Sequence, residues 1–168
     1  MDQLGVVYWV TGLSGAGKTT IGKLLYEKLR MEKSNVVFLD GDILRDVFGD
    51  DLGYTREDRH KSAMRNARIC RMLSIQGLDI VCCTISMFDD VRAWNRGHIT
   101  MYKEIYLKVN KETLHWRNQK GLYESSTEEL VGFGVTMEEP KCSDLVIDNN
   151  GELTPEEIVQ KIWEVVVK

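Results

Sequence analysis

The residues Gly12-Leu13-Ser14-Gly15-Ala16-Gly17-Lys18-Thr19 fit the pattern G-x-x-x-x-G-K-[ST]. Gly12, Gly15 and Gly17 let the backbone curl until successive N–H groups converge on one phosphate. A helix starting directly after the loop adds the partial positive charge of its N-terminus. Lys18 then reaches the β- and γ-phosphates and the Thr19 hydroxyl ligates Mg²⁺, while Ser14, Ala16 and Thr20 complete the nucleotide-contacting set. The chemistry this loop supports is binding of a nucleoside triphosphate, ATP in the commonest case, with its magnesium ion. The blander alternative is a glycine-rich turn. It is disfavoured by context: a short β-prone run, Val6 to Val10, precedes the loop, and Ile21, Leu24, Leu25, Tyr26 and Leu29 follow at helical spacing.

A second group, Asp40-Gly41-Asp42, closes the apolar run Val36–Leu39. Carboxylates at the carboxyl end of a strand beside a phosphate loop can accept the proton of a substrate hydroxyl, or hold Mg²⁺ through water. Asp-Gly is also a common turn pair, so the tripeptide alone does not decide. Other nucleotide-hydrolysing classes fit less well. A motor or switch protein needs an Asp at the end of a buried strand to hold the metal, but the run Ile80–Ile85 meets Ser86. A guanine site would want N-K-x-D, and Asn110-Lys111-Glu112-Thr113 ends in Thr.

The elements that must position these groups follow from periodicity. A helix is expected from the phosphate loop to about Arg30, then a strand over 36–39 and a short helix over 43–48. Thr55 caps a long helix to about Gln76, with Asp58 completing a capping box and Gly77 stopping it. Strands are expected over 78–85, 102–109 and 144–148, and helices over 91–97 and 111–118. Thr154-Pro155-Glu156-Glu157 starts a last helix, with Ile158, Ile162, Trp163 and Val166 as its apolar stripe. Five strands alternating with helices imply an α/β fold: a five-stranded parallel sheet covered by helices on both faces, with ligands at the carboxyl ends of the strands. The stretch 119–143 has weak periodicity and reads as a lid in the C-terminal third.

The chain of 168 residues suits one domain, and 43% hydrophobic residues supply a core of normal size. A net charge of −4 argues against a general nucleic-acid binder, so anionic ligands must be met by local cations. Cys70, Cys82, Cys83 and Cys142 show neither C-x-x-C spacing nor a metal-ligand cluster and read as buried thiols of a reducing compartment. No targeting segment and no apolar run approaching ~20 residues is evident. The expectation is a cytoplasmic enzyme that acts on small molecules, without membrane or nucleic-acid partners, and with homodimerisation left open.

Asp40-Gly41-Asp42 with Arg45, then Gly53-Tyr54-Thr55 and Asp58-Arg59, resembles the D-G-D-x-x-R and G-[FY]-[ST]-x-x-D-R pattern of adenylylsulfate kinases. Ile85-Ser86 with Arg92 is similar to that family's I-S-P segment, and Arg117-Asn118-Gln119-Lys120-Gly121-Leu122-Tyr123 to its R-D-P-K-G-L-Y. Gly132-Phe133-Gly134 and Glu138-Glu139-Pro140 resemble its lid. The resemblance runs in order along nearly the whole chain. It implies a P-loop kinase fold and transfer of the ATP γ-phosphate to the ribose 3′-hydroxyl of adenylylsulfate, with Mg²⁺. It also implies roles: Asp40 and Asp42 for the hydroxyl nucleophile and the metal, Arg45, Arg59 and Arg65 for the acceptor's anionic tail, and Tyr54 and Phe133 for its base. Ile85 and Ser86 would line the acceptor, Ser86 also counting among the catalytic residues as one that either touches phosphate or caps a loop, and Arg117 and Lys120 would reach phosphate at the lid base. His98 and His115 match nothing and read as surface or core residues.

The resemblance breaks at the acceptor's tail. Where the family reads x-x-N-I-R-R after D-R, this chain has His60-Lys61-Ser62-Ala63-Met64-Arg65, and Asp89 stands where the family carries an Arg. An amide and a cation are lost, and an anion replaces another cation. A tail ending in an amide carries N–H donors that Asp89 or Ser62 can accept. The alternative acceptor is therefore a nucleoside diphosphoramidate, such as the cytidine diphosphoramidate of capsular polysaccharide modification. A further alternative is a non-enzymatic nucleotide-binding module, against which Lys18, Thr19, Asp40 and Asp42 argue.

Overall fold

The structure, a computed structural model, describes residues 3–117 and 137–168. Strand β1 (Val7–Thr11) leads through the phosphate loop into α1 (Lys18–Glu32). Then follow β2 (Val36–Asp40), α2 (Gly41–Val47), α3 (Arg56–Ser74), β3 (Asp79–Thr84), α4 (Asp89–His98), β4 (Tyr102–Lys108) and α5 (Lys111–Arg117). Strand β5 (Leu145–Asp148) and α6 (Pro155–Ile162) follow, and a π-helical turn, Trp163–Val167, ends the chain. The five strands form one parallel sheet in the order β2-β3-β1-β4-β5.

Because successive strand side chains face opposite ways, the central strands supply two cores. Tyr8, Val10, Val81 and Cys83 point to the side packed with Ile21, Leu25 and Leu29 of α1 and Ile158 and Ile162 of α6. Val7, Trp9, Ile80 and Cys82 point to the side packed with Ala63, Ala67 and Cys70 of α3 and Val91 of α4. The adjacent cysteines thus divide between the faces as expected. Cys70, Cys82 and Cys83 are buried, but Cys142 is exposed and corrects the expectation that all four thiols are internal.

Close approach of α1 to the sheet depends on Gly22, where a Cβ would lie 2.1 Å from Cys83 Sγ. The Thr55 cap forms: its hydroxyl accepts from the Asp58 N–H at 3.1 Å and donates to Asp58 Oδ2 at 2.8 Å. The Thr154 capping box is complete, whereas at Thr55 no bond from its own N–H to the Asp58 carboxylate is present among the described residues, so the box expected there is half formed. Helix α4 begins at Asp89, two residues before the expected Val91. Phe88, at its N-cap, gives no side-chain cap, and the Asp89 N–H is met instead by Glu138 Oε2 at 2.9 Å, from a segment 49 residues away. Most of the expected lid, with Lys120 and Phe133, lies outside the described residues. No helix among the described residues is long and apolar enough to cross a membrane.

Candidate active site

Two adjoining cavities open at the carboxyl ends of β1, β2 and β3. The first, about 240 Å³, lies over the phosphate loop and is lined by Ser14, Gly15, Gly17, Lys18, Thr19 and Thr20, with Asp40, Asp42 and Ile85 opposite. Gly17 holds φ at 90°, a conformation that costs glycine little, and so turns the loop into α1. Lys18 Nζ donates to Leu13 O at 2.6 Å, closing the loop on itself. Desolvation lowers the Lys18 ammonium to about 8, only partly offset by Cys83, Asp42 and Asp40 nearby. Gly12 and Ala16 do not line the cavity: Ala16 is fully buried, and a Cβ on Gly12 would lie 2.6 Å from Leu107 O. Those two of the expected contacts shape the loop from beneath. Arg117 also supports it from outside, donating to Gly15 O at 2.7 Å and Asn149 O at 2.8 Å, while Asn149 Nδ2 donates to Ala16 O at 2.8 Å.

The two carboxylates have separate environments. Asp40 is buried; Oδ2 accepts from the Thr19 hydroxyl at 2.6 Å and Oδ1 from the Asp42 N–H at 3.0 Å, which caps α2. Asp42 is exposed and lines both cavities. Thr19 and Asp40 together present a hydroxyl and a carboxylate, hard oxygen donors of the kind Mg²⁺ takes alongside substrate phosphates. Among the described residues no cluster of three His, Cys, Asp or Glu offers an all-protein metal cage.

The second cavity, about 90 Å³, shares Gly41, Asp42, Thr84 and Ile85 with the first. It adds Arg45, Tyr54, Arg59, Ser62, Asn66 and Ser86. Tyr54 is 57% exposed, with the guanidinium of Arg45 4.2 Å and that of Arg59 5.3 Å from its ring centroid. Arg45 also donates to the carbonyls of Leu52, at 2.8 Å, and Gly53, and Arg59 to that of Tyr54 at 2.9 Å, so loop backbone presets both cations. Ser86 has φ at 31°, unusual for a residue with a side chain. Its hydroxyl is 2.7 Å from that of Thr84, at the base of the cavity.

Two expected residues are elsewhere. Arg65 makes a two-point ion pair with Asp51, at 2.9 and 2.8 Å, over the ring of Phe48. Asp89 pairs with the buried Arg92 and lines a different cavity with Arg56, His60 and Glu138. Arg92 also donates to Glu138 O at 2.6 Å, so its charge is spent on holding α4 to residue 138. Sequence reasoning could not see this because the partner lies 46 residues away. His98, exposed, stacks on Trp94, and His115 is exposed, in keeping with their lack of a motif. Missed by sequence reasoning were Asn66, Thr84, Asn149 and Met137. None sits in a recognisable motif.

A family model described as adenylylsulphate kinase matches residues 4–148. The chain belongs to the adenylylsulfate kinase family. This kinase is 39% identical over 160 residues to a cytidine diphosphoramidate kinase of Campylobacter jejuni, covering 93% of each chain. It is 34% identical over 167 residues to an adenylyl-sulfate kinase of Halothermothrix orenii, covering 97% of this chain and 90% of that one. Its backbone follows the Mycobacterium tuberculosis APS kinase solved with AMPPNP and APS, with a TM-score of 0.84, 27% identity, and 98% and 99% of the two chains covered. The fold and the ATP-dependent phosphotransferase activity expected from the motifs are thus those of the family.

Proposed function

We propose that this kinase transfers the γ-phosphoryl group of ATP to the ribose 3′-hydroxyl of a nucleoside diphosphoramidate. The observation that carries the transfer is the position of Asp42, which lines both the phosphate-loop cavity and the Tyr54 cavity. A hydroxyl entering from the second meets a phosphoryl group entering from the first. Asp42 accepts the hydroxyl proton as the new O–P bond forms and the bond to ADP breaks. Lys18 and the loop N–H groups hold the phosphate charge that shifts towards ADP. Thr19 and Asp40 are the residues that would hold Mg²⁺, which when bound neutralises phosphate charge. Tyr54 stacks on the acceptor's base, and Arg45 and Arg59 meet its phosphates. ATP and a nucleotide acceptor fit a cytoplasmic enzyme.

The acceptor follows from the cations. Arg65 and Arg92 are both engaged with carboxylates outside the second cavity, so the cations of its described lining are Arg45 and Arg59. With Ser62 in place of the family's Asn, that lining has fewer N–H donors for a tail made only of oxygen acceptors, and the Ser62 hydroxyl can accept from a tail's N–H. The 39% identity to the Campylobacter jejuni enzyme supports the same acceptor class. Adenylylsulfate is the second reading, favoured by the family-like Arg45, Tyr54 and Arg59. The test is kcat/KM for cytidine diphosphoramidate and for adenylylsulfate with ATP·Mg²⁺, read as ADP release, with the 3′-phosphate located by phosphorus NMR. Preference for the diphosphoramidate is expected; clear preference for adenylylsulfate overturns the proposal.

A further inference from the structure

Asn66 has no place in the motifs above, yet it is 2% exposed and its side chain lines the acceptor cavity. It lies on α3 one turn beyond Ser62, and residues at i and i+4 share a helix face. Ser62 is itself on the cavity wall. The amide that the family pattern places at position 62 is thus missing there, and another amide stands one turn further along the same face.

The carboxamide is oriented by its neighbours. Its only hydrogen bond among the described residues runs from Nδ2 to Thr84 Oγ1, at 3.5 Å, and Thr84 is in turn paired with Ser86 at 2.7 Å. The donor end is therefore turned to the protein. The Asn66 Oδ1 carbonyl oxygen makes no hydrogen bond among the described residues, and the residue that carries it lines the cavity.

We infer that Asn66 is a specificity-determining residue whose carbonyl accepts a hydrogen bond from the N–H of an amide-bearing acceptor tail. The inference rests on the acceptor proposed above. A terminal P–NH₂ supplies the donor that Oδ1 needs. A terminal sulfate turns an oxygen towards Oδ1, leaving two acceptors face to face with no proton between them. A site built to bond an N–H rejects an analogue lacking it, because its own polar group is left unpaired. Asn66 is uncharged, so it exerts this preference without repelling the phosphates that Arg45 and Arg59 hold.

The test is an acceptor comparison on the full chain with ATP·Mg²⁺, joined to calorimetric binding of each acceptor in the presence of a non-hydrolysable ATP analogue. Asn66→Leu is expected to lower kcat/KM and affinity for cytidine diphosphoramidate by about 10- to 100-fold while raising those for adenylylsulfate, whose unpaired contact with Oδ1 it removes, with the KM for ATP unchanged. Asn66→Asp keeps the size and an acceptor oxygen. It should retain the diphosphoramidate within about tenfold and weaken adenylylsulfate further, and it serves if the Leu variant fails to fold. Equal losses for both acceptors in both variants would show a merely structural side chain and overturn the inference, leaving the proposed acceptor standing. A wild-type enzyme that binds adenylylsulfate and not the diphosphoramidate overturns the proposed acceptor, and the role of Asn66 with it.

Discussion

Asp40 and Asp42 are two residues apart, and in the mechanism proposed above their surroundings divide between them the jobs that the sequence left undivided. Asp40 is buried, bonded to the Thr19 hydroxyl and capping α2; Asp42 is exposed between the cavities. Asn caps a helix about as well as Asp, so Asp40→Asn should keep α2 and lose mainly the charge offered to a metal. Its activity should recover partly as Mg²⁺ is raised. Asp42→Asn removes the proton acceptor and should lower kcat by roughly 10²-fold or more at every Mg²⁺ concentration. Steady-state kinetics over a magnesium series checks both, and identical magnesium profiles would show that the division is wrong. Lys18 adds a pH dependence. Its ammonium, lowered to about 8 by desolvation, is half neutral near that pH in the free protein, and bound triphosphate favours the charged form. Affinity for ATP should therefore be flat below pH 8 and fall by up to about tenfold per unit above it, with proton uptake on binding. Calorimetry at pH 8.5 in buffers of different ionisation enthalpy measures that uptake; no uptake would mean the lysine is already fully charged in the free protein.

At the scale of elements, what was legible is what is local. The phosphate loop, the Thr55 and Thr154 caps and the end of β2 are written in neighbouring residues, and each forms within a residue or two of its expected place. The start of α4 was not legible because its cap comes from Glu138, which no window around Phe88 contains. Arg65 and Asp89 looked like acceptor ligands from the motif alone, but Asp51 and Arg92 claim them, and only the fold brings those partners close. Glu138 has a further consequence. Its N–H donates to Met87 O at 3.1 Å, its carbonyl accepts from Arg92 and its carboxylate bonds the Asp89 N–H. These bonds seat Met137 on the acceptor cavity, next to Phe88 and Ser86. Glu138→Ala removes the carboxylate bond but leaves the two backbone bonds. It should raise the KM for the acceptor by about tenfold, the worth of one charge-assisted hydrogen bond, and leave the KM for ATP unchanged. A rise in both KM values would instead point to general loosening of the fold.

Across the whole molecule, the cavities occupy one end of the sheet, while the two cores and a buried polar cluster hold the rest. Glu104 on β4 is fully buried; it pairs with Arg96 at 3.0 Å and accepts from Tyr102 at 3.0 Å and Ser143 at 2.8 Å. Arg96 also donates to Cys142 O at 2.8 Å, so the cluster ties α4, β4 and the approach to β5 together. None of these groups lines either cavity. Stability and ligand binding should therefore separate by mutation. Glu104→Ala leaves two hydroxyls and a half-exposed arginine without their acceptor. It should cost about 3 kcal/mol, or roughly 6–12 °C in Tm for a chain of this size, and still show the full upward shift on adding ATP. Lys18→Ala should abolish phosphoryl transfer with Tm near wild type, because the side chain's one hydrogen bond among the described residues is to its own loop. It should also lose most of the ATP-induced shift, which for the wild type at about one hundred times Kd amounts to about 2.7 kcal/mol, roughly 5–10 °C. Thermal melts of both variants with and without ATP give four values that test the separation. If Glu104→Ala lost the nucleotide shift, or Lys18→Ala lost basal Tm, the strand-end site and the supporting sheet would be one cooperative unit.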